Sequence, residues 1–231
     1  MVRFVIAALF TLIVNAALAG DFEDGVAAFN RKDYATALEK IRSAAQQGNG
    51  DAQFNLGQMY RRGDGVAQDY KEAVRWYLLA AKQGYKEAQY NLGLMYDKGV
   101  GVAQDYKEAV RWYQLAAKQG LANAQYNLAL KFDDGKGVAQ DYKEAVRWYQ
   151  LAAKQGNAQA QNNLGLMYGN GQGVLQDYTR AHMWLNIAAI TGKKNRVEGR
   201  DLVASKMTAQ QIEQAQRMAR ECMASNYTKC D

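Results

Sequence analysis

The side chains best suited to catalysis are scarce in this sequence of 231 residues. His182 is the only histidine, and it occupies the position that Val74 has in an earlier copy of a repeated pattern. A lone histidine on a helix is far more often a packing or surface residue than a catalyst. The sequence contains neither a His, Cys and Asp cluster with zinc-ligand spacing nor a Ser-His-Asp set for acyl transfer. It therefore predicts a protein that is not an enzyme and has no metal or cofactor.

The two cysteines, Cys222 and Cys230, lie eight positions apart near the end of the chain. In an oxidising compartment two such thiols most simply form one disulfide. The alternative, a redox or metal site, requires Cys-x-x-Cys spacing or further ligands nearby, and the sequence provides neither. We expect a disulfide, which would stabilise the tail by about 2–3 kcal/mol in the chain-entropy model.

Gly-x-Gly turns recur along the chain and could suggest phosphate binding. Phosphate-binding loops, however, follow a strand and carry a Lys-Ser or Lys-Thr pair, and these turns have neither. The turns are Gly63/Gly65, Gly99/Gly101, Gly135/Gly137 and Gly171/Gly173. They predict connections between helices.

Residues 1–19 have the pattern of a cleaved signal peptide, with Arg3 near the start, an apolar stretch and Ala17-Leu18-Ala19 at the cleavage position. The alternative, a membrane anchor, would need a longer apolar run. We therefore expect an exported protein that begins near Gly20, most simply periplasmic, with a secreted or cell-surface location as the alternative. No other run is long and apolar enough to predict an integral membrane segment in the mature chain.

The formal charge of the chain is +6. Part of the excess lies after the last repeat, in Lys193, Lys194, Arg196 and Arg200. A basic patch can attract nucleic acid or an acidic membrane surface. For an exported chain we favour a solvated basic helix start and predict no nucleic-acid partner.

An internal repeat of 36 residues dominates the sequence. The string Gly-Val-Ala-Gln-Asp-Tyr-Lys-Glu-Ala-Val-Arg-Trp-Tyr occurs identically at 65–77, 101–113 and 137–149, with weaker copies near Gly173 and Asp33. Each period predicts two helices, of which the first copies span 70–83 and 86–97. Asp69 is a suitable N-cap, and Glu72 three residues later suggests a capping box.

These motifs resemble the Sel-one-like repeat (SLR) family of the tetratricopeptide (TPR) superfamily. The resemblance rests on Asn-Leu-Gly-x-Met-Tyr, Gly-x-Gly-Val and Asp-Tyr-x-x-Ala-x-x-Trp-Tyr-x-x-Ala-Ala-x-x-Gly. It implies an all-α, right-handed superhelical solenoid of TPR/SLR-type helix pairs. The implied segments are a TPR-like pair at 20–50, four SLR units at 51–191 and C-terminal capping helices at 192–231. Thr208 and Gln211 predict a capping box in that tail.

The resemblance also implies that the first helix of each unit lines the concave groove of the array. Motif positions repeat between units, whereas groove positions change, as an array that binds an asymmetric partner would require. The predicted groove residues are Phe54, Gln58, Arg61 and Arg62; Tyr90, Leu94, Asp97 and Lys98; Tyr126, Leu130, Asp133 and Asp134; and Asn162, Leu166, Gly169 and Asn170.

The aromatic groove positions could instead belong to the core. Asn162 occupies the same position as Tyr90 and Tyr126, and Gln58 occupies that of Leu94, which a fully buried site would tolerate poorly. We therefore expect partly exposed groove residues. The invariant tryptophans recur with the scaffold and are expected to pack in the interior; they are Trp76, Trp112, Trp148 and Trp184.

Together these features predict a non-enzymatic protein- or peptide-binding scaffold of the bacterial cell envelope, binding through the concave groove. One alternative is a surface or secreted factor that contacts host cells. Another is a beta-lactam or cell-wall hydrolase, since some exported cysteine-rich SLR proteins are linked to that activity. Those proteins carry a cysteine pair in each repeat, and this chain does not.

Overall fold

The computed structural model describes residues 20–190 and 192–230 of the chain. The predicted signal peptide, residues 1–19, lies outside the described residues. All regular secondary structure in the described part is α-helical, as predicted. The helices are α1 (20–30), α2 (Tyr34–Gln46), α3 (Gly50–Arg62), α4 (Tyr70–Lys82), α5 (Lys86–Lys98), α6 (Tyr106–Lys118), α7 (Ala122–Asp134), α8 (Tyr142–Ala153), α9 (Ala158–Asn170), α10 (Tyr178–Ala189), α11 (Lys194–Ala204) and α12 (Ala209–Ala224).

The helix boundaries follow from local capping chemistry. The Asp69 carboxylate accepts hydrogen bonds from the backbone N–H groups of Lys71 (2.8 Å) and Glu72 (3.1 Å), as expected of an N-cap. The capping box suggested for Asp69 and Glu72 does not form its second half, because the Asp69 N–H donates to the Tyr60 carbonyl instead (2.9 Å). The box predicted at Thr208 and Gln211 is present in full.

The helices form two compact units, divided between Asp105 and Tyr106. In the first unit α2 packs against α3, α3 against α4 and α4 against α5. Its core is rich in alanine, with Leu56 and Met59 also buried, and small residues let helix backbones approach closely. In the second unit consecutive helices pack in the same way from α6 to α10, and α10 also contacts α11 and α12.

The invariant aromatic residues are interior scaffold, as predicted. Trp76, Trp112, Trp148 and Trp184 are between 2% and 8% exposed. In the first three the preceding arginine places its guanidinium over the indole ring, at 5.2 Å from the centroid for Arg111 and Trp112. The tryptophans therefore hold the repeat together and are not part of the predicted groove.

Gly57 and Gly165 share one repeat position within α3 and α9, where the following helix packs closely. A Cβ atom at Gly57 would lie 2.7 Å from Cδ1 of the fully buried Tyr77 ring. One at Gly165 would lie 2.7 Å from Leu185 Cγ. Glycine at this repeat position therefore makes room for a core side chain of the following helix.

The C-terminal tail covers the last repeat. Cys222 and Cys230 are both buried and disulfide-bonded, with Cα atoms 4.6 Å apart, which agrees with the predicted pairing. The Tyr227 ring, inside the disulfide loop, lies beside Gly156 at the end of α8, 3.4 Å from the position of a Cβ there. The tail is thereby fixed to the second unit at both α10 and Gly156.

Candidate partner-binding surface

In the first unit the predicted groove residues lie on α3 and α5. Phe54, Gln58 and Arg61 are half-buried, and Arg62 is exposed. On α5, Tyr90, Leu94 and Asp97 are half-buried and Lys98 is exposed. Spacings of four and seven or eight residues place each set on one helical face. Their partial exposure agrees with the sequence, but their role in binding stays a prediction.

A cleft of about 270 Å³ opens on one side of α3, and we call it the α1–α3 cleft. It is lined by Val26, Phe29, Asn30, Ile41, Phe54, Asn55, Gln58, Met59, Arg62 and Asp64. Three of these residues, Phe54, Gln58 and Arg62, were predicted from the repeat. The contribution of α1 was not, because α1 belongs to the divergent N-terminal pair, whose groove positions the repeat motif does not define. The apolar Phe29 is the feature of the sequence from which a contribution of α1 to the cleft could have been inferred.

A second cleft, of about 200 Å³, lies between α3 and α5, and we call it the α3–α5 cleft. It is lined by Arg61, Tyr70, Asn91, Leu94, Met95, Lys98 and Val100. It brings together the predicted residues Arg61, Leu94 and Lys98. The lining contains two cations and no carboxylate, together with apolar and amide side chains. Tyr90 and Asp97 do not line either cleft.

A hydrogen-bonded group joins the two clefts across α3. The Gln58 side-chain oxygen accepts from Arg61 Nε (3.0 Å) and Nη2 (2.9 Å), and also from the Tyr77 hydroxyl (3.0 Å). Burial raises the pKa of Tyr77 to about 12, so its hydroxyl keeps its proton and remains a donor at neutral pH. The Arg61 guanidinium is therefore held in one orientation by a neutral partner.

The second unit has a different polar arrangement at the corresponding positions. The Tyr149 hydroxyl donates to Asp133 (3.1 Å) and accepts from the Asn163 amide (3.0 Å). Burial raises the pKa of Asp133 above its usual value, opposed by the Tyr149 hydrogen bond. Neither Tyr149 nor Asn163 was among the predicted groove residues, because both lie at repeated motif positions.

The other groove predictions in this unit have mixed outcomes. Tyr126, Leu130 and Asn162 are half-buried, whereas Asp134, Leu166 and Asn170 are exposed. Gly169 is buried and departs from the expected groove surface, because Ala181 and Val203 pack against it. Val203 belongs to the tail helix α11, which the repeat pattern does not include.

Residues 20–190 and 192–230 contain neither a candidate metal site nor a candidate membrane-spanning helix. No group of three or more His, Cys, Asp or Glu side chains there is arranged to hold a metal ion. None of the helices in that part is both long and apolar enough to cross a membrane.

A family model for the Sel1 repeat matches the chain at residues 50–85, 86–121, 122–157 and 158–190. The matches cover most of the chain and coincide with the helix pairs from α3 to α10. The protein belongs to the Sel1 repeat family, with an all-α repeat fold of the TPR-like type. Proteins of this kind are in general non-catalytic scaffolds for protein interaction.

Two solved structures of the same fold are similar to the chain over nearly its whole length. One is a protective antigen present in uropathogenic Escherichia coli strains, with 35% identity over 95% of this chain and a TM-score of 0.80. This chain covers 48% of that protein, about half its length. The other is a Sel1 repeat protein from Oxalobacter formigenes, with 32% identity over 91% of this chain, 79% of that chain and a TM-score of 0.70. No curated protein matches the sequence.

Proposed function

We propose that this protein is a non-enzymatic scaffold that binds a partner protein or peptide through the variable face of its first repeat helices. The observation that carries the proposal is the pair of clefts flanking α3 in the first unit, which six of the predicted groove residues line. Both clefts are lined by a mixture of apolar and polar side chains, the usual composition of a recognition site. Arg61, Arg62 and Lys98 would supply charge complementarity there, and Phe54 and Leu94 would supply apolar contacts.

We further propose that the scaffold works in the bacterial cell envelope, after export and removal of residues 1–19. The disulfide between Cys222 and Cys230 supports an oxidising compartment. A surface or secreted factor that contacts host cells is the second candidate, and similarity to a protective antigen of uropathogenic Escherichia coli favours it. Protease treatment of intact cells separates the two, because only a surface-exposed protein is cleaved without permeabilisation.

Site-specific photo-crosslinking in cells tests the binding function. A photoreactive amino acid at Phe54, Tyr90 or Tyr126 should give a discrete adduct with a partner protein. The matched control is Lys71, which is exposed on α4 and lines neither cleft. Adducts at the variable positions and not at Lys71 would support the proposal. An identical pattern at all four positions, or none at all, would contradict it.

A further inference from the structure

The two clefts of the first unit differ in charge in a way that points to the chemistry of a partner. The α3–α5 cleft contains Arg61 and Lys98 without a lining carboxylate. In the α1–α3 cleft, Arg62 is accompanied by Asp64, and the lining also includes apolar side chains such as Phe29 and Phe54. One cleft therefore suits an anion, and the other suits an apolar side chain without net charge.

The Arg61 side chain is oriented by its hydrogen bonds to Gln58 in the absence of a partner, which favours binding of an anion. Gln58 accepts from Nε and Nη2 and is itself fixed by the Tyr77 hydroxyl, while the remaining guanidinium donors are not used in this contact. A side chain that is already oriented loses less conformational entropy on binding. Because the Gln58 amide is uncharged, it orients Arg61 without neutralising it.

This arrangement is specific to the first unit. The positions that correspond to Arg61 and Lys98 in the second unit are Asp133 and Asn170, which carry no positive charge. The position of Gln58 is leucine in each of the three later copies. The cationic cleft is therefore a departure from the repeated scaffold.

We propose that the first unit binds an extended internal segment of a partner protein with an apolar side chain in the α1–α3 cleft and an Asp or Glu side chain in the α3–α5 cleft. This inference rests on the proposed function and gives it a partner chemistry. An internal segment is favoured over a chain end because the half-buried groove positions continue along α5 to Tyr90.

The width of α3 determines how far apart the apolar and the acidic side chains of the partner must lie. The α1–α3 cleft extends towards α1 and the α3–α5 cleft towards α5, so a partner that fills both must cross α3, and a helix with its side chains is about 10–12 Å across. An extended chain rises about 3.3 Å per residue. The apolar and acidic residues of the partner should therefore be separated by about three positions.

Selection of displayed random 12-residue peptides on the full-length protein tests this inference. Selected peptides should be enriched in Asp or Glu about three positions from Phe, Leu, Ile or Met. For a selected peptide made with blocked termini, replacing that acid by its amide should weaken binding about tenfold at low salt, and less at high salt, because two cations lose their partner.

The double variant R61Q/K98Q should lose the preference for acidic peptides, and R61E/K98E should select basic ones. The matched control is K71Q/K82Q, which removes two exposed lysines of α4 that line neither cleft and should keep the preference. Unchanged helical circular dichroism and melting temperature establish that each variant is folded.

Three outcomes would overturn the inference: selection of apolar residues without an acid, binding that requires a free terminal carboxylate, or no enrichment. None of these affects the crosslinking result from Phe54, which tests the binding function separately. Crosslinks without an acidic preference would leave the scaffold function in place and remove only the partner chemistry.

Discussion

Gly57 lies within α3, where glycine ordinarily lowers helix stability, and the Tyr77 ring packs directly against it. The Tyr77 ring is fully buried, and its hydroxyl is bonded to Gln58, so it has little freedom to move away. A residue that local propensity disfavours is therefore required by the neighbouring helix. The same ring supplies the hydrogen bond that orients the Gln58 and Arg61 side chains.

Gly57→Ala should lower the free energy of unfolding by up to about 2 kcal/mol. Alanine gains about 1 kcal/mol in helix propensity, but its Cβ would lie 2.7 Å from the Tyr77 ring, and overpacking costs about 1–3 kcal/mol. Chemical denaturation measures the difference. Gly199→Ala is the matched control, because Gly199 is also inside a helix and its nearest neighbour, Leu185, is 3.6 Å from the Cβ position. This substitution should stabilise by about 0.5–1 kcal/mol, and the same sign for both would contradict the steric explanation.

At the level of helices, α10 departs from the earlier copies where it contacts the tail. His182 replaces the valine of the three preceding copies and is only 3% exposed. Its Nδ1 atom has no hydrogen-bond partner among the described residues. Burial, together with the nearby Arg200 of α11, lowers the pKa of His182 below its usual value, with Asp201 acting in the opposite direction. His182 is therefore a packing residue, one of the two non-catalytic roles expected of it, and we expect its burial to make the second unit sensitive to acid.

The stability of the second unit should fall as the pH drops below about 6.5, the usual pKa of histidine. Because the folded-state pKa of His182 is lowered, the folded state binds fewer protons than the unfolded state in this range. The stability associated with neutral His182 is fully present above its unfolded-state pKa. It is lost as the pH falls towards the lower folded-state pKa of this residue. Denaturation at pH 7.5 and 5.0 should show a larger loss for the wild type than for His182→Val, which restores the residue of the other copies. Equal losses would show that His182 is not responsible.

The C-terminal tail acts as the terminal cap of the repeats. In the second unit α11 and α12 pack on α10, and Val203 packs at Gly169 of α9. A repeat array buries each helix pair against its neighbour, so its last pair requires a terminal cap. The disulfide fixes the end of α12 and the loop that carries Tyr227.

The double variant C222S/C230S should lower the stability of the second unit by about 2–3 kcal/mol, the chain-entropy value for so short a loop. Limited proteolysis should then cut first around Tyr227, since the closed loop no longer holds this segment beside Gly156. Reduced wild-type protein should behave in the same way, which separates loss of the disulfide from an effect of serine. Unchanged cleavage in both would show that the tail is held by packing alone.

Most of the fold was predictable because the repeat occurs in near-identical copies. Asp69 and the invariant tryptophans have the same local role each time, so helix positions followed from capping and apolar periodicity. Predicted helix ends differ from the observed ones by one or two residues. The candidate site was less predictable, because its α1–α3 cleft combines repeat positions with Phe29 and Asn30 of the divergent first helix, which no motif marks.

The repeat, its helix pairs, the cysteine pair and the positions that vary between units can be identified in the sequence alone. These depend on local propensity and on comparison among copies within one chain. The packed helices are needed to see which variable residues line a cleft. They also show that Gln58 holds Arg61, that Val203 covers Gly169 and that His182 is buried against the tail. Each of these depends on side chains far apart in the chain, and their contact is fixed by how the helices pack.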